Sequence, residues 1–204
     1  GHNVVDLWGG VANRDSKKPW DFETAAVIFS CTKGLMSLAL AKLFEEKRFS
    51  YDDLVTKYWP EFGNSGKEKT TVAQLLAHRG GVPFFKDDIT LEQVIDWDYM
   101  VSKIQDEPPL WNPGENYAYH ALTHGWLTGE LIRKITNLSP GEYLQEHISK
   151  PLSADTWLGI SPDLEELVSV SYPREDLRTF FEELAIKNTP EGNFLIRSLT
   201  LGEA

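Results

Sequence analysis

The sequence predicts an α/β or α+β domain that carries a helical insertion, on three observations. Strand-like apolar pieces stand near the start and again at residues 155–160. Between them the apolar residues recur mainly at spacings of three and four, the helical period. Capping residues, glycines and prolines cut that middle stretch into short segments, as expected of helices inserted into a sheet domain.

Taken in order, Val4 to Trp8 reads as a short strand that ends at the Gly9-Gly10 turn. Ala25 to Phe29 is a second apolar, strand-like run, closed by Ser30. From Cys31 the period changes: Leu35, Leu38, Ala39 and Leu43 share a helical face, and Glu45 to Arg48 form its polar end. Tyr51 to Leu54 is a turn into a short helix before the aromatic loop Tyr58 to Phe62. Thr70 to His78 is a capped helix stopped by Gly80, Gly81 and Pro83. Leu91 to Ile104 has the pattern of one amphipathic helix. Pro108 to Gly114 is a rigid loop, because each proline disfavours helix at its own and the preceding position. Ala121 to Ile135 is the longest helical pattern, and Ser139-Pro140-Gly141-Glu142 opens another with a cap, a first-turn proline and a first-turn acid. Asp155 to Ile160 reads as a strand and Arg174 to Ile186 as a helix; no repeat, heptad run or low-complexity tract is visible.

Composition narrows the partners. At 204 residues, 41% of them hydrophobic and 25% charged, the chain can fill one sizeable core and is not a disordered polymer. Its 20 basic residues against 31 acidic ones leave a net charge of -11, which argues against nucleic acid or anionic lipid as partner. No run approaches the roughly 18 apolar residues of a membrane span, and Gly1-His2-Asn3 lacks the basic head of a secretory peptide. Cys31 is the single cysteine, so an internal disulfide and a four-cysteine zinc site are excluded and the lean is toward a reducing compartment.

The strongest chemical signal is Ser30-Cys31-Thr32-Lys33, where an apolar run meets a helix. Three residues along a helical turn return to the same face, which sets Lys33 beside the Ser30 hydroxyl. A serine attacks well only when a neighbour accepts its proton, and a neutral, desolvated lysine does so. A helix start also supplies N–H groups suited to an oxyanion. By itself the tetrad leaves a second reading open, a serine that caps a helix, since about one Ser-x-x-Lys arises by chance in such a length. Other candidates are thinner. His120 and His124 stand one helical turn apart, a metal-like spacing without the intervening Glu of a metalloprotease or a third ligand. Cys31 has no nominated histidine and reads as a small core residue. Gly125 and Gly129 permit close helix packing. The acid pairs Asp52-Asp53, Glu165-Glu166 and Glu182-Glu183 read as solvated surface.

Four segments together resemble the serine β-lactamase-like family of class C β-lactamases, penicillin-binding DD-peptidases and related esterases. Val27 to Gly34 resembles its nucleophile segment, and Leu75-Leu76-Ala77-His78-Arg79-Gly80-Gly81-Val82-Pro83 its helix-and-turn signature. Asn112 to Tyr119 resembles the approach to its second element, and Pro151 to Thr156 a later turn. The resemblance covers about residues 4 to 160, in order. It implies an α+β, β-lactamase/transpeptidase-like fold: an antiparallel sheet with a helical subdomain, the sheet incomplete in this chain. Residues 1–30 would be sheet strands leading to the nucleophile, 31–155 the mainly helical subdomain and 156–204 a return segment.

The same resemblance implies a catalytic Ser30 acylated by an ester or amide substrate, Lys33 as its proton acceptor and Tyr119 as the phenol that serves the leaving group. It implies no cofactor and no metal. Two departures bear on activity. The family's Tyr-x-Asn is Tyr119-His120-Ala121 here, which disfavours penicillin-type recognition and favours the esterase-like branch; His120 would supply some polar function or lie in solvent. The third element, Lys-Thr-Gly or a His/Trp-x-Gly variant, has no match, and with it would go the second oxyanion donor, worth about 10²–10³ in rate. The expectation is an N-terminal portion of a longer protein, the rest of the fold coming from further sequence or another chain. The rival expectation is a catalytically inactive, structural or assembly member of the same fold.

Overall fold

The computed structural model describes residues 1–174, 176–177, 179–180, 182–183 and 189–201. Its body is helical. Helix α1 (Thr32–Glu45) buries Met36, Ala39, Leu40 and Leu43, the i, i+3, i+4, i+7 stripe of an amphipathic helix. Three short helices open with reciprocal caps. Thr71 accepts from the N–H of Gln74 at the head of α2 (Val72–Leu76), Thr90 from Gln93 at α3 (Leu91–Val94), and Ser139 from Glu142 at α6 (Pro140–Leu144); each N3 side chain bonds back to the cap. Between the last two lie α4 (Trp97–Asp106) and α5 (Thr123–Thr136). After α6 the chain continues through a π turn at Gln145–Ser149 into α7 (Lys150–Leu152), and α8 (Pro190–Thr200) comes last.

Helix α5 is the axis of the body. It touches α1, α2, α4 and α6, and its buried residues occupy nearly every face, from Thr123 and His124 to Ile132 and Ile135. Leu40, Leu43, Trp59, Phe62, Phe85, Met100, Ile104, Leu127 and Leu131 close the core around it, each at most 1% exposed. Every such aliphatic side chain contributes about 1.5–3 kcal/mol on leaving water. Gly129 is where Trp97 crosses α5, and a β-carbon there would stand 2.5 Å from the indole, so the small-residue reading holds at Gly129; at Gly125 there is open space. The buried carboxylate of Glu130 accepts from the Trp97 indole at 2.9 Å and pairs with Arg133 at 3.1 Å.

Strand content is small. Strands β1 (Val11–Asn13) and β2 (Lys18–Pro19) form an antiparallel pair, Val11 opposite Pro19 and Asn13 opposite Lys18. Three expected strands are corrected. Val4 to Trp8 is irregular, with Val4 89% and Leu7 87% exposed. Ala25 to Phe29 contributes one parallel bridge, Ala25 to Val168, before tightening into a 3₁₀ turn at Phe29–Cys31. Asp155 to Ile160 is irregular. An apolar run becomes a strand only where a neighbour completes its ladder, and among the described residues of these three runs Ala25 alone forms a bridge, to Val168.

The helical expectations fared better, with three changes. The single helix expected over Leu91 to Ile104 is two, because Asp96 turns extended and its carboxylate takes the N–H of Tyr99, starting α4 afresh. Helix α8 was not anticipated; Arg197 ties it to Asp88 at 2.9 Å and to the carbonyls of Phe85 and Lys86. Of the helix expected at Arg174 to Ile186, residues 176–177, 179–180 and 182–183 are helical and the rest lies outside the described residues or precedes the helix. Asp53, expected in solvent, is an anchor: its carboxylate accepts from the Ser50 N–H, Lys57 and Tyr58.

Candidate active site

Phe29 has φ 44°, a left-handed backbone that costs a bulky residue about 1–3 kcal/mol. The strain sits one residue before Ser30 and turns the chain from the extended run into α1. Ser30 does not cap that helix. The N-cap is Cys31, which makes no side-chain bond, and Cys31 is exposed rather than buried in the core. The Ser30 hydroxyl instead accepts from the Tyr119 phenol at 2.8 Å and from Lys33 Nζ at 3.4 Å. Lys33 also donates to the carbonyl of Ala121 at 2.7 Å and stands 4.8 Å from the centre of the Tyr119 ring. The structure therefore brings Ser30, Lys33 and Tyr119 together. The anchor that Ala121 offers Lys33 is main-chain, so it survives the loss of an asparagine side chain at that position.

Tyr119 arrives on a loop held by two interlocking turns. Gly81 has φ +86°, and its carbonyl takes the N–H of Leu110 at 2.8 Å. Gly114 has φ +92°, and its N–H donates to the Arg79 carbonyl at 3.0 Å while the Arg79 guanidinium donates to the Gly114 carbonyl. Any side chain at either position would meet the opposite turn or Gln74. The two segments that looked separately like family signatures are thus one packed unit.

Electrostatics act on the phenol. The hydrogen bond with Ser30, whose hydroxyl can turn to donate to a phenolate, and the nearby Lys33 hold Tyr119 below its usual value of 10.0, against an upward push from burial. His120 is neither in solvent nor a substitute for the missing amide. It is fully buried; its Nε2 accepts from Val82 N–H at 3.1 Å and its Nδ1 faces the Ala118 carbonyl at 2.7 Å. Burial pushes it down to about 4, so it is neutral with both nitrogens engaged. His124, one turn on, is likewise pushed down to about 4, first by burial. Among the described residues no cluster of three or more His, Cys, Asp or Glu is placed to hold a metal ion.

Sequence reasoning passed over His78. It stands in the helix-and-turn signature with no role assigned by the sequence, yet a histidine just past a short helix and before Arg79-Gly80-Gly81 occupies the position where a left-handed residue ends the helix.

A helical body that presents a Ser-x-x-Lys turn to a tyrosine from a glycine-bounded loop places the chain in one class of fold, the β-lactamase and penicillin-binding type. The chain belongs to the Beta-lactamase family, whose model matches residues 1–189. It is 33% identical over 155 residues to Esterase/beta-lactamase LipL of Mycobacterium tuberculosis, covering 76% of this chain and 36% of that protein. Among solved structures, a penicillin-binding protein homologue from Caulobacter crescentus is 34% identical with a TM-score of 0.78, over 82% of this chain and 45% of that one. A family VIII carboxylesterase is 33% identical with a TM-score of 0.80, over 83% and 47%. The chain thus spans less than half the length of each, and its fold is the β-lactamase/penicillin-binding-protein fold with the sheet incomplete.

Proposed function

We propose that the protein cleaves a carboxylic ester or amide through an acyl-enzyme on Ser30. In the first half, neutral Lys33 takes the hydroxyl proton as the Ser30 oxygen attacks the carbonyl carbon. The tetrahedral intermediate collapses by breaking the bond to the leaving alcohol or amine, which receives the phenol proton of Tyr119. In the second half, the Tyr119 phenolate draws a proton from water, the water attacks the acyl carbon, and the Ser30 oxygen departs with the proton held on Lys33. Both groups end as they began.

The observation that carries this reading is the single oxygen of Ser30 accepting from both Tyr119 and Lys33. Esterase names among the relatives and the methyl side chain of Ala121 support esters over acylamido-bearing lactams. No second oxyanion donor beside Ser30 is identified among the described residues, and adding one would raise turnover by about 10²–10³-fold.

The test is labelling of the full chain with a serine-reactive fluorophosphonate, beside hydrolysis of p-nitrophenyl acetate, in wild type and Ser30→Ala. An adduct confined to the Ser30 peptide, lost together with hydrolysis in Ser30→Ala, is expected. A full chain that takes no label returns the protein to the non-catalytic, assembly reading.

A further inference from the structure

His78 holds the backbone on both sides of Tyr119. The Ala118 N–H donates to the His78 carbonyl at 3.3 Å, and the His120 N–H donates to His78 Nδ1 at 3.0 Å. The imidazole also lies against the phenol ring, with centres 5.0 Å apart. His78 adopts φ 60°, the left-handed region that histidine, asparagine and glycine tolerate better than most residues. That backbone turns the ring from the end of α2 toward the Tyr119 loop. Because Nδ1 accepts, the imidazole proton must reside on Nε2.

We propose that His78 is a positioning residue: by accepting the His120 N–H on Nδ1, it fixes the Tyr119 phenol on the Ser30 hydroxyl. The proposal rests on the reading that Tyr119 acts in turnover. One clamp residue controls the orientation of the loop because Tyr119 is flanked at i−1 and i+1 by bonds to the same side chain and main chain.

The groups that face His78 explain why the acceptor form persists. Lys33 approaches from α1, His124 stacks from α5 with centres 4.6 Å apart, and Tyr117, Tyr119 and His120 come from the loop. Arg79, its neighbour, points its guanidinium to the Gly114 carbonyl. Burial, and then Lys33, hold His78 below its usual value of 6.5. A proton on Nδ1 would set two N–H groups against each other and place an imidazolium beside Lys33. Acid should therefore release the loop only below that value.

The test compares His78→Gly with His78→Asn in the full chain. Both substitutions tolerate the left-handed backbone and both remove the ring, but the asparagine Oδ1 stands the same number of bonds from the backbone as Nδ1 and accepts in its place. His78→Gly should lose roughly 10²-fold in kcat with KM little changed, and His78→Asn should restore most of that loss and remove the His78 step from the acid side of the pH profile. Equal losses in the two variants, or no loss in His78→Gly, overturn the proposal. Long-range ¹H–¹⁵N spectra of the wild type give a second reading that needs no variant to fold: an Nε2–H tautomer at His78 is expected, and an Nδ1–H tautomer overturns it. Tyr119→Phe run alongside separates the two claims, since unchanged turnover there removes the role of Tyr119 itself, independently of His78.

Discussion

The phenol of Tyr119 stands 2.8 Å from the hydroxyl of Ser30, although 89 positions separate them in the chain. The contact joins the start of α1 to a loop pinned against the end of α2. Its consequences reach both the chemistry and the stability of the molecule.

The phenol should ionise early. With Ser30 and Lys33 favouring the phenolate, the difference in phenolate absorbance between wild type and Tyr119→Phe should show a midpoint below 10.0. Any step that needs the phenolate as base speeds up as pH rises toward that midpoint and levels off above it. Tyr119→Phe should lower kcat by about 10²–10⁴-fold while KM stays close to wild type. A midpoint at or above 10.0 would contradict the electrostatic account.

Gly81→Ala should unsettle the same loop from a distance. At φ +86° an added β-carbon meets Pro109 Cβ at 2.7 Å and the Trp111 carbonyl oxygen at 2.9 Å, and the latter is main chain that cannot rotate away. Urea unfolding should show a loss of about 1–3 kcal/mol, accompanied by a fall in turnover because the displaced loop carries Tyr119. Full stability and full activity in this variant would mean the two turns are not rigidly coupled.

Lys67 is wholly buried, and its ammonium donates to the carbonyls of Asn64, Gln105 and Glu107 at 2.6–2.9 Å. Lys67→Met leaves those oxygens without their donor and should cost about 3 kcal/mol. Burial pushes this lysine down to about 8 from 10.5. Between those values the unfolded chain holds a proton that the folded one has released, so wild-type stability should rise with pH across that window. In Lys67→Met this rise should be absent, and denaturant melts at several alkaline pH values decide it.

Asp53 makes a prediction of the same sign in acid. Its carboxylate is held down to about 2 by the Tyr58 hydroxyl first and the Lys57 ammonium next, against 3.8 when free. Stabilisation from this site is complete above the unfolded value and disappears as pH falls from about 3.8 to about 2. The stability gap between wild type and Asp53→Asn should therefore close over that interval. A gap that stays constant would assign the effect to packing rather than charge.

Much of the helical body was legible because caps and periodicity are local. Thr71 with Gln74 and Ser139 with Glu142 satisfy each other's backbone within four residues; α1 follows from its 3.6-residue period, although the face it buries runs through Met36, Ala39, Leu40 and Leu43 and leaves the expected Leu38 47% exposed. The break at Asp96 escaped because the apolar pattern runs through it while a single carboxylate restarts the helix. Strands were least legible. Val4 to Trp8 and Asp155 to Ile160 carry strand-like composition, but ladder bonds come from other segments, and composition cannot supply them. His78 escaped, and His120 looked like half of a metal-like pair or a polar substitute, for a related reason: their hydrogen bond to each other joins segments 42 positions apart.

By itself, then, the sequence determined the short-range features: the change to helical period after Cys31, the three-residue spacing that sets Lys33 one turn from Ser30, the helix stop at Gly80-Gly81 and the rigid loop that ends at Gly114. Spacing and backbone sterics act over a few residues, so they can be read without a fold. The meeting of Tyr119 with Ser30, the clamp at His78, the burial of His120 and the fate of each apolar run were decided only in three dimensions. Those contacts depend on how α5 and its neighbours pack, and packing sums contributions from the whole core rather than from any one stretch of chain.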